Sequence, residues 1–384
     1  MRGKVALGEL CNPSQGQVKE QPDTIIDYID ISSVDNESKS ITGFQTMSFA
    51  EAPSRARKDI KKNNILVSTV RPNMNAVAVY EEETPNKTIV STGFCVLDCK
   101  EYVDYRFVFN FCKSQAFIED MVSQATGASY PAVSDKIVRS ALIPAYSYEE
   151  QCQISCILDT VSKIIVDRKN ELQKLDELIK ARFVEMFGDL KTNTKDWDIK
   201  TFEELTYLIT DGEHATPRRT DKGIYLLSAR NVLNHSIQLE DVDYIDQEEY
   251  DRIAKRVIPQ EGDVLISCSG TVGRCCSVPS GLQFQMVRSA ALLRFKEDIN
   301  PVFAEYMITS DYLQEQINSS KTASSQANLF QGKIKALKGF VPPIELQNEF
   351  LDFVRQVDKS KVVVQKALDE AQLLFDSLMQ KYFG

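Results

Sequence analysis

Two stretches of forty residues decide the fold of this chain: EEQCQISCILDTVSKIIVDRKNELQKLDELIKARFVEMFG at residues 149–188 and ELQNEFLDFVRQVDKSKVVVQKALDEAQLLFDSLMQKYFG at residues 345–384. They are offset by 196 positions, and both end in a Phe-Gly pair, at Phe187-Gly188 and Phe383-Gly384. Each stretch follows a longer segment of mixed composition. A globular segment followed by a long helix therefore occurs twice, and this duplication predicts a pseudo-two-fold chain.

Apolar residues in both stretches recur at alternating steps of four and three, which is the pattern of a heptad seam. In the first stretch the seam positions are Ile154, Leu158, Val161, Ile165, Arg168, Leu172, Leu175, Ile179, Arg182 and Met186. Their counterparts 196 residues later are Phe350, Val354, Val357, Lys361, Val364, Leu368, Ala371, Phe375, Leu378 and Tyr382. We expect the two helices to pack on each other as an antiparallel coiled coil along this seam.

Three basic residues, Arg168, Arg182 and Lys361, interrupt the seam. The simpler interpretation is that their stems pack and their charged heads reach solvent. The alternative is that they fix the register or meet carboxylates of a partner. A helix of roughly 38 residues is about 57 Å long, which exceeds one turn of B-DNA, so the pair could hold two domains a fixed distance apart.

The remaining segments combine short β-rich runs with helical ones. The predicted strands are 24–31, 64–70, 76–80 and 88–97 in the first segment, and 223–227, 263–266 and 289–295 in the second; the predicted helices are 105–122 and 301–318. The sequence thus predicts an α+β fold with two mixed α/β domains, separated by two long helices packed as an antiparallel coiled coil. The expected segments are 1–148, 149–188, 189–344 and 345–384.

The composition is that of a soluble globular protein, with 43% hydrophobic and 26% charged residues. We expect a cytoplasmic protein, because the chain shows neither a membrane-length apolar run nor a signal-peptide core at its start. The nine cysteines have no disulfide-framework spacing, and the lone tryptophan, Trp197, is interpreted as a packing anchor. With two histidines in the chain, no metal site is expected.

Several polar loops carry side chains suited to DNA. A net charge of −10 implies that any DNA contact is confined to loops and that partner subunits neutralise most phosphates. A solvated turn is the simpler interpretation of each loop taken alone. The candidate DNA-binding residues are Ser68, Thr69, Arg71, Ser129, Tyr130, Lys136, His214, Thr216, Arg218, Arg219, Arg230, Ser269, Thr271, Arg274, Ser325 and Gln326.

No catalytic motif stands out in the sequence. The Pro-Pro step at Val341-Pro342-Pro343-Ile344 lacks the polar and aromatic residues of an amino-methyltransferase loop. Neither a nucleotide-binding G-x-x-x-x-G-K-[ST] loop nor a G-x-S-x-G nucleophile frame occurs. We therefore do not expect this chain to be an enzyme.

Four features in combination resemble the specificity subunit of type I restriction–modification systems: GASYPAVSDK at 127–136, DGEHATP at 211–217, GDVLISCSGTVGR at 262–274 and the Phe-Gly helix ends. The resemblance covers essentially the whole chain. It implies two target-recognition domains that each read half of a split DNA site. It also implies a helical pair that sets the spacer and docks two DNA adenine methyltransferase subunits, joined in the larger complex by restriction/translocase subunits.

The same resemblance implies that S-adenosylmethionine, ATP and Mg²⁺ are used by the partner subunits, with no cofactor in this chain. Two alternatives remain open at this point. One is the recognition subunit of a related methyltransferase–endonuclease with cleavage in the partner chain. The other is a coiled-coil scaffold that does not bind DNA. The sequence indicates neither the bases recognised nor the spacer length.

Overall fold

The computed structural model describes residues 3–14, 16–19, 23–81, 83–320 and 328–384. It divides into two compact units. The first unit comprises Met1–Asn170 with Gln365–Gly384, and the second comprises Glu171–Val364. The four segments expected from the sequence are thus grouped so that each unit holds one globular segment together with part of each long helix.

The first globular segment contains eleven strands and three short helices, followed by the first long helix. The strands are β1 Lys4–Ala6, β2 Ile25–Ile29, β3 Val34–Asp35, β4 Ser40–Ile41, β5 Gln45–Ser48, β6 Ala56–Asp59, β7 Ile65–Ser68, β8 Val77–Val79, β9 Lys87–Ser91, β10 Phe94–Leu97 and β11 Leu142–Pro144. The helices are α1 Tyr105–Lys113, α2 Gln115–Gln124, α3 Asp135–Ser140 and α4 Tyr148–Phe187.

Two sheets organise the first unit. One has the order β5-β2-β9-β6, in which β2 and β9 are parallel, and the other is the antiparallel sheet β10-β7-β8. Strand β7 is buried along its whole length and reads ILVS, an apolar run that fits a strand covered on both faces. β1 pairs with β11 just before α4 begins, so the start of the globular segment is tied to its end.

The second globular segment repeats this plan. Its strands are β12 Asp198–Thr201, β13 Thr206–Asp211, β14 Ile224–Leu227, β15 Val232–Leu233, β16 Ser236–Ile237, β17 Asp243–Ile245, β18 Val264–Ser267, β19 Cys275–Ser277, β20 Phe284–Met286, β21 Ala290–Phe295 and β22 Lys338–Val341. Its helices are α5 Phe202–Leu205, α6 Gln247–Ala254, α7 Pro301–Thr309, α8 Asp311–Ser320, α9 Gln331–Lys335 and the second long helix, α10 Ile344–Phe383.

The sheets of the second unit correspond to those of the first. Its larger sheet has the order β13-β21-β18-β19, and the other, β17-β14-β20, contains a parallel pair between β14 and β20. The fully buried strand β18 reads VLIS and occupies the place of β7. β12 pairs with β22 ahead of α10, as β1 pairs with β11 ahead of α4. The predicted fold class is confirmed.

The long helices pack antiparallel within each unit, and both begin and end one residue earlier than the expected segments. In the first unit, Ile154 and Leu158 near the start of α4 share a core cluster with Met379 and Phe383 at the end of α10. In the second unit, the end of α4 meets the start of α10, where the Phe187 and Phe350 rings lie 5.6 Å apart. All twenty seam positions are buried or half-buried.

Two of the basic seam residues make ion pairs from one helix to the other. In the second unit, Arg182 contacts Glu349 at 3.1 Å and Lys361 contacts Asp176 at 2.5 Å. The Arg182 and Lys361 side chains are less than one-third exposed, whereas the carboxylates that they contact are more than half exposed, so the stems pack in the seam and the charged heads lie at its edge. The heads therefore meet carboxylates of the opposite helix of the same chain.

Each predicted short-helix region is interrupted at a serine. The region 105–122 is α1 and α2, and the region 301–318 is α7 and α8; the breaks lie at Ser114 and Ser310, again 196 residues apart. Both serines have extended ψ angles near 150°, which ends a helix. The Ser114 hydroxyl then accepts the Phe117 N–H and starts the next helix as an N-cap.

A buried glutamine joins each long helix to its globular segment. The Gln151 side-chain oxygen accepts the backbone N–H of Asp104, the residue that caps α1, at 3.0 Å. The Gln347 oxygen accepts the N–H of Asn300, which caps α7, at 2.8 Å. Both glutamines are almost completely buried and 196 residues apart. The duplication therefore extends to individual hydrogen bonds.

Other sequence predictions concern single side chains. The Trp197 indole N–H donates to the carbonyl of Phe187 at 2.8 Å, so this residue closes the end of α4 as the predicted anchor. All nine cysteines are free thiols, and six of them are buried. None of the helices in the described part of the chain is long and apolar enough to cross a membrane.

Candidate nucleic-acid interface

The first unit gathers three loops at the end of β7. The Thr69 N–H donates to Gly93 O at 2.8 Å, which ties the loop after β7 to the turn before β10. The Val133 N–H donates to Thr69 O at 2.8 Å, which ties the same loop to the segment ahead of α3. We call this set of backbone bonds the strand-end clamp. It fixes the points at which these loops leave the fold, and the tips of the loops face solvent.

Arg71 and Tyr130 form the exposed tip of this arrangement. Arg71 has a left-handed backbone (φ 48°), rare for a residue other than glycine, and its N–H donates to Pro131 O at 2.7 Å. Its guanidinium lies over the Tyr130 ring, 4.8 Å from the centroid. An exposed guanidinium held against an aromatic face can contact base edges or phosphates. The structure thus brings together two predicted site residues from distant parts of the sequence.

The strand-end clamp recurs in the second unit. The Cys268 N–H donates to Ser289 O at 2.7 Å, and the Leu329 N–H donates to Cys268 O at 2.9 Å. An isolated bridge between Ser269 and Asn328 extends the contact of these loops, as Val70 and Ala132 do in the first unit. Two of the predicted residues, Ser325 and Gln326, lie outside the described residues.

Three of the predicted contact residues face inward, and for them the structure contradicts the prediction. Ser68 and Thr69 are buried, and their hydroxyls donate to Val70 O and Gly93 O at 2.9 Å each. The guanidinium of Arg274 donates to Ala229 O at 2.8 Å and braces the turn at Ala229–Asn231. These side chains support the loops and do not present their polar groups to a ligand.

Three predicted arginines of the second unit are paired with carboxylates. Arg218 contacts Glu248 at 2.9 Å. Arg219 and Arg230 share one carboxylate, that of Asp243, at 2.9 and 3.0 Å. Burial raises the pKa of Asp243, but hydrogen bonds and charge from the two arginines outweigh it, so the pKa is lowered overall. These arginines are held in place and partly neutralised by their own domain.

The other predicted residues are surface groups. The imidazole of His214 lies 2.7 Å from the Asp211 carboxylate, and both are at the edge of the β13 loop. Ser269 is half-buried beside the clamp. The remaining predicted residues, exposed side chains on the surface loops or on α3, are Ser129, Lys136, Thr216 and Thr271.

One surface residue escaped the sequence analysis. Arg288 lies on the turn before β21, directly beside the strand-end clamp, and is exposed. Its counterpart at the 196-residue offset is Thr92, next to Gly93 of the first clamp. The 196-residue alignment with the first clamp indicates this position, whereas the turn does not have the polar composition that marks the other candidate loops.

A separate cleft of about 1050 Å³ lies in the first unit, between α4 and the β3–β4 hairpin. Its wall includes Lys113, whose ammonium lies 4.4 Å from the centre of the Phe109 ring. Burial lowers the pKa of Lys113 to about 8. Among the residues that the structure describes, no group of three or more His, Cys, Asp or Glu side chains is arranged to hold a metal ion.

The family model of the type I restriction modification DNA specificity domain matches the chain twice, over residues 3–176 and 194–371. The chain belongs to this family. The resemblance expected from the sequence is confirmed, and the protein is a type I specificity subunit with two DNA sequence recognition domains. The two clamps fall one in each matched region.

Solved structures share the fold of this specificity subunit. A chain from a study of complex assembly and conformational transition of the type I R-M system is 22% identical, with a TM-score of 0.62; the match covers 99% of this chain and 97% of that one. The S subunit of a type I system from M. genitalium is 14% identical, with a TM-score of 0.59, covering 100% and 96%. No curated protein matches the chain.

Proposed function

We propose that this specificity subunit reads a split DNA sequence, one half-site per recognition domain, for a complex whose chemistry lies in partner chains. The supporting observation is the strand-end clamp, which occurs in both units at the end of the central buried strand. Each clamp fixes the points at which its loops leave the fold, and exposed residues of these loops carry polar side chains. Two loop sets in one chain, each held at the end of a buried strand, suit two half-sites, since sequence is read by side chains that reach base edges.

The chain is proposed to be non-catalytic. Adenine methylation would be carried out by two methyltransferase subunits, and cleavage by restriction/translocase subunits. S-adenosylmethionine, ATP and Mg²⁺ would be used by those partners. A methyltransferase must extract its target base from the duplex, and the cost of that deformation would be shared by the binding energy of the whole complex.

Random-sequence selection with the co-purified specificity and methyltransferase subunits tests this function. The expected product is a bipartite sequence with a spacer of fixed length. Exchanging residues 1–140 for those of another family member should change one half-site and leave the other unchanged. A contiguous motif, or no motif at all, would count against the proposal.

The long helices are proposed to dock the two methyltransferase subunits. Leu374 in the first unit and Leu178 in the second are repeat equivalents, and they are 51% and 48% exposed. Val166 and Val362 form a second equivalent pair, 55% and 69% exposed. Large apolar side chains left half-exposed at matching places suit two copies of the same partner. This supports one docking surface per unit.

Native mass spectrometry of the complex tests this arrangement. Leu374→Glu should remove one methyltransferase subunit, Leu178→Glu the other, and the double variant both. Lys366→Glu is a control on the same helix, because Lys366 is exposed and its contact with Glu370 is 3.9 Å long. Retention of two methyltransferase subunits by both leucine variants would exclude these docking surfaces.

The helical pair is also proposed to set the spacer. Seven residues inserted into α4 near Asp167, with seven more opposite them near Leu368 of α10, preserve the heptad register in both helices. They lengthen the pair by about 10.5 Å at 1.5 Å per residue, which is near 3 base pairs at 3.4 Å each. The spacer should lengthen while both half-sites stay the same. A folded complex with an unchanged spacer would refute the proposal that the helical pair sets the spacer length.

A further inference from the structure

The eight arginines of residues 189–344 differ sharply in what their guanidinium groups contact. Six make ion pairs with carboxylates of the same segment: Arg218, Arg219, Arg230, Arg252, Arg256 and Arg294. Arg274 donates to the carbonyl of Ala229. Only Arg288 has a guanidinium with neither an ion pair nor a hydrogen bond to any residue in the described ranges. We call such a residue an uncommitted arginine.

The backbone around Arg288 is rigidly held although its side chain is exposed. The Arg288 N–H donates to Glu213 O at 3.0 Å, and the Val287 N–H donates to Leu227 O at 2.9 Å. The next residue, Ser289, accepts the Cys268 N–H on its carbonyl and the Ala229 N–H on its hydroxyl. A strand-end clamp therefore passes through the residue beside Arg288. The starting point of this side chain is fixed before any ligand binds.

The first unit shows the same selection at its own clamp. Four of the five arginines described in residues 3–148 donate to acidic or carbonyl oxygens: Arg55, Arg57, Arg106 and Arg139. The guanidinium of the fifth, Arg71, lies over the Tyr130 ring and makes no hydrogen bond or ion pair with the residues that the structure describes. Among the described residues, each globular segment thus holds one arginine whose guanidinium has no oxygen acceptor, and both lie where the clamp meets the surface.

We propose that Arg288 is a base-reading residue of the second recognition domain, with a guanine edge in the major groove as its ligand. An arginine can contact the O6 and N7 atoms of guanine with two parallel hydrogen bonds. A fixed backbone favours such a directional contact, because less freedom is lost on binding. This assignment rests on the proposed function and adds to it the residue that specifies one position of one half-site.

The test compares three variants of the subunit in complex with the methyltransferase subunits. Arg288→Ala removes the guanidinium, and Arg288→Lys keeps the charge but not the paired donors. Arg252→Ala is the matched control. Arg252 is exposed, as Arg288 is, but its guanidinium pairs with Glu249 at 2.8 Å. Binding to the selected DNA is measured by fluorescence anisotropy, and each complex is put through random-sequence selection.

Arg288→Ala should weaken binding to the selected DNA by about fivefold to 150-fold, the value of one bidentate arginine–base contact. Selection should then show a relaxed preference at one position of one half-site, and Arg288→Lys should show the same relaxation. Arg252→Ala should stay within about twofold of the wild type. Thermal unfolding of Arg288→Ala should be unchanged, because the guanidinium makes no ion pair or hydrogen bond with the described residues.

The outcomes separate this inference from the function on which it rests. Unchanged affinity and unchanged selected sequence for Arg288→Ala would overturn the inference alone. Equal weakening on all sequences, with preference retained at every position, would also overturn it, since a phosphate contact gives that result. If the wild-type complex selects no split sequence, the proposed function itself fails.

Discussion

The two buried glutamines allow a quantitative test of how each long helix supports its recognition domain. Gln347 makes three hydrogen bonds: its oxygen accepts the Asn300 N–H at 2.8 Å, and its amide donates to Asp298 O at 2.9 Å and Pro342 O at 2.8 Å. Gln151 makes two, with the Asp104 N–H at 3.0 Å and Tyr146 O at 2.9 Å. The perturbation is substitution of each glutamine by alanine.

The expected loss of stability follows from the buried polar groups that lose a hydrogen-bond partner. A buried polar group that loses its only partner costs about 1–3 kcal/mol. Gln347→Ala leaves the Asn300 N–H without an acceptor and removes one hydrogen-bond donor from each of two carbonyls. We therefore expect the free energy of unfolding of the second unit to fall by about 3–5 kcal/mol. Gln151→Ala orphans one N–H and weakens one carbonyl, so about 2–3 kcal/mol is expected from the first unit. Both are large fractions of a domain stability of about 5–15 kcal/mol.

Hydrogen–deuterium exchange of the full chain is the appropriate assay, because it reports each unit separately. Gln347→Ala should speed exchange in α7 and β18, and Gln151→Ala in α1 and β7. Gln173→Ala is the control, since this exposed side chain on α4 donates a hydrogen bond to Glu177 on the same helix and should change stability by less than about 0.5 kcal/mol. Equal effects of Gln151→Ala and Gln173→Ala would refute the reasoning, as would loss of protection in the unit that was not altered.

Three further predictions concern charged groups. Burial lowers the pKa of Lys113 to about 8, so its charge costs stability at pH below 8; Lys113→Met should stabilise the first unit at pH 7 by roughly 1–3 kcal/mol, and thermal unfolding from pH 7 to 10 should show the gain fading as pH rises. Asp263→Ala should destabilise the second unit by about 3 kcal/mol in urea unfolding, because it leaves the half-buried Arg294 without the carboxylate it contacts twice at 2.7 Å. Burial raises the pKa of Asp27, but hydrogen bonds from Thr46, Thr84 and Asn86 outweigh it and lower the pKa below 3.8. The stability that ionised Asp27 contributes is therefore fully present above pH 3.8 and is lost as the pH falls through its lowered pKa. In acid unfolding, Asp27→Asn should lose less stability over this pH range than the wild type.

The elements that could be predicted from the sequence are those fixed by local periodicity. The two repeated forty-residue stretches match α4 and α10 within one residue at each end, and the heptad seam within each stretch predicts that it is helical. The breaks at Ser114 and Ser310 escaped notice, since a serine inside an apolar helical run fits the pattern until its cap is seen. The 196-residue offset that relates these serines also relates Gln151 to Gln347, so the duplication extends from whole helices to single side chains.

The candidate site was harder to predict, because its side chains are paired across long sequence separations. Arg219 and its carboxylate, Asp243, are 24 residues apart, and nothing in the loop composition indicates that they meet. The hydroxyl groups of Ser68 and Thr69 suggest a polar surface, yet both residues are buried because they follow the apolar run of β7. Polar composition shows which loops face solvent. It does not show which of their side chains are already occupied by partners in the fold.

This distinction bears on how an acidic subunit can recognise DNA. With a net charge of −10, the chain as a whole repels phosphates, and most arginines of the second recognition domain already contact carboxylates. Non-specific affinity depends on the number of phosphates neutralised, so this chain should supply little of it. Exposed ion pairs contribute at most about 1 kcal/mol each, but they fix the arginines and keep them from attracting DNA of any sequence. On the proposed function, the discriminating energy would come from the uncommitted arginines at the clamps, Arg71 and Arg288, and general attraction to DNA from the partner subunits. A recognition subunit built in this way gains specificity because its sequence-independent binding energy for DNA is small.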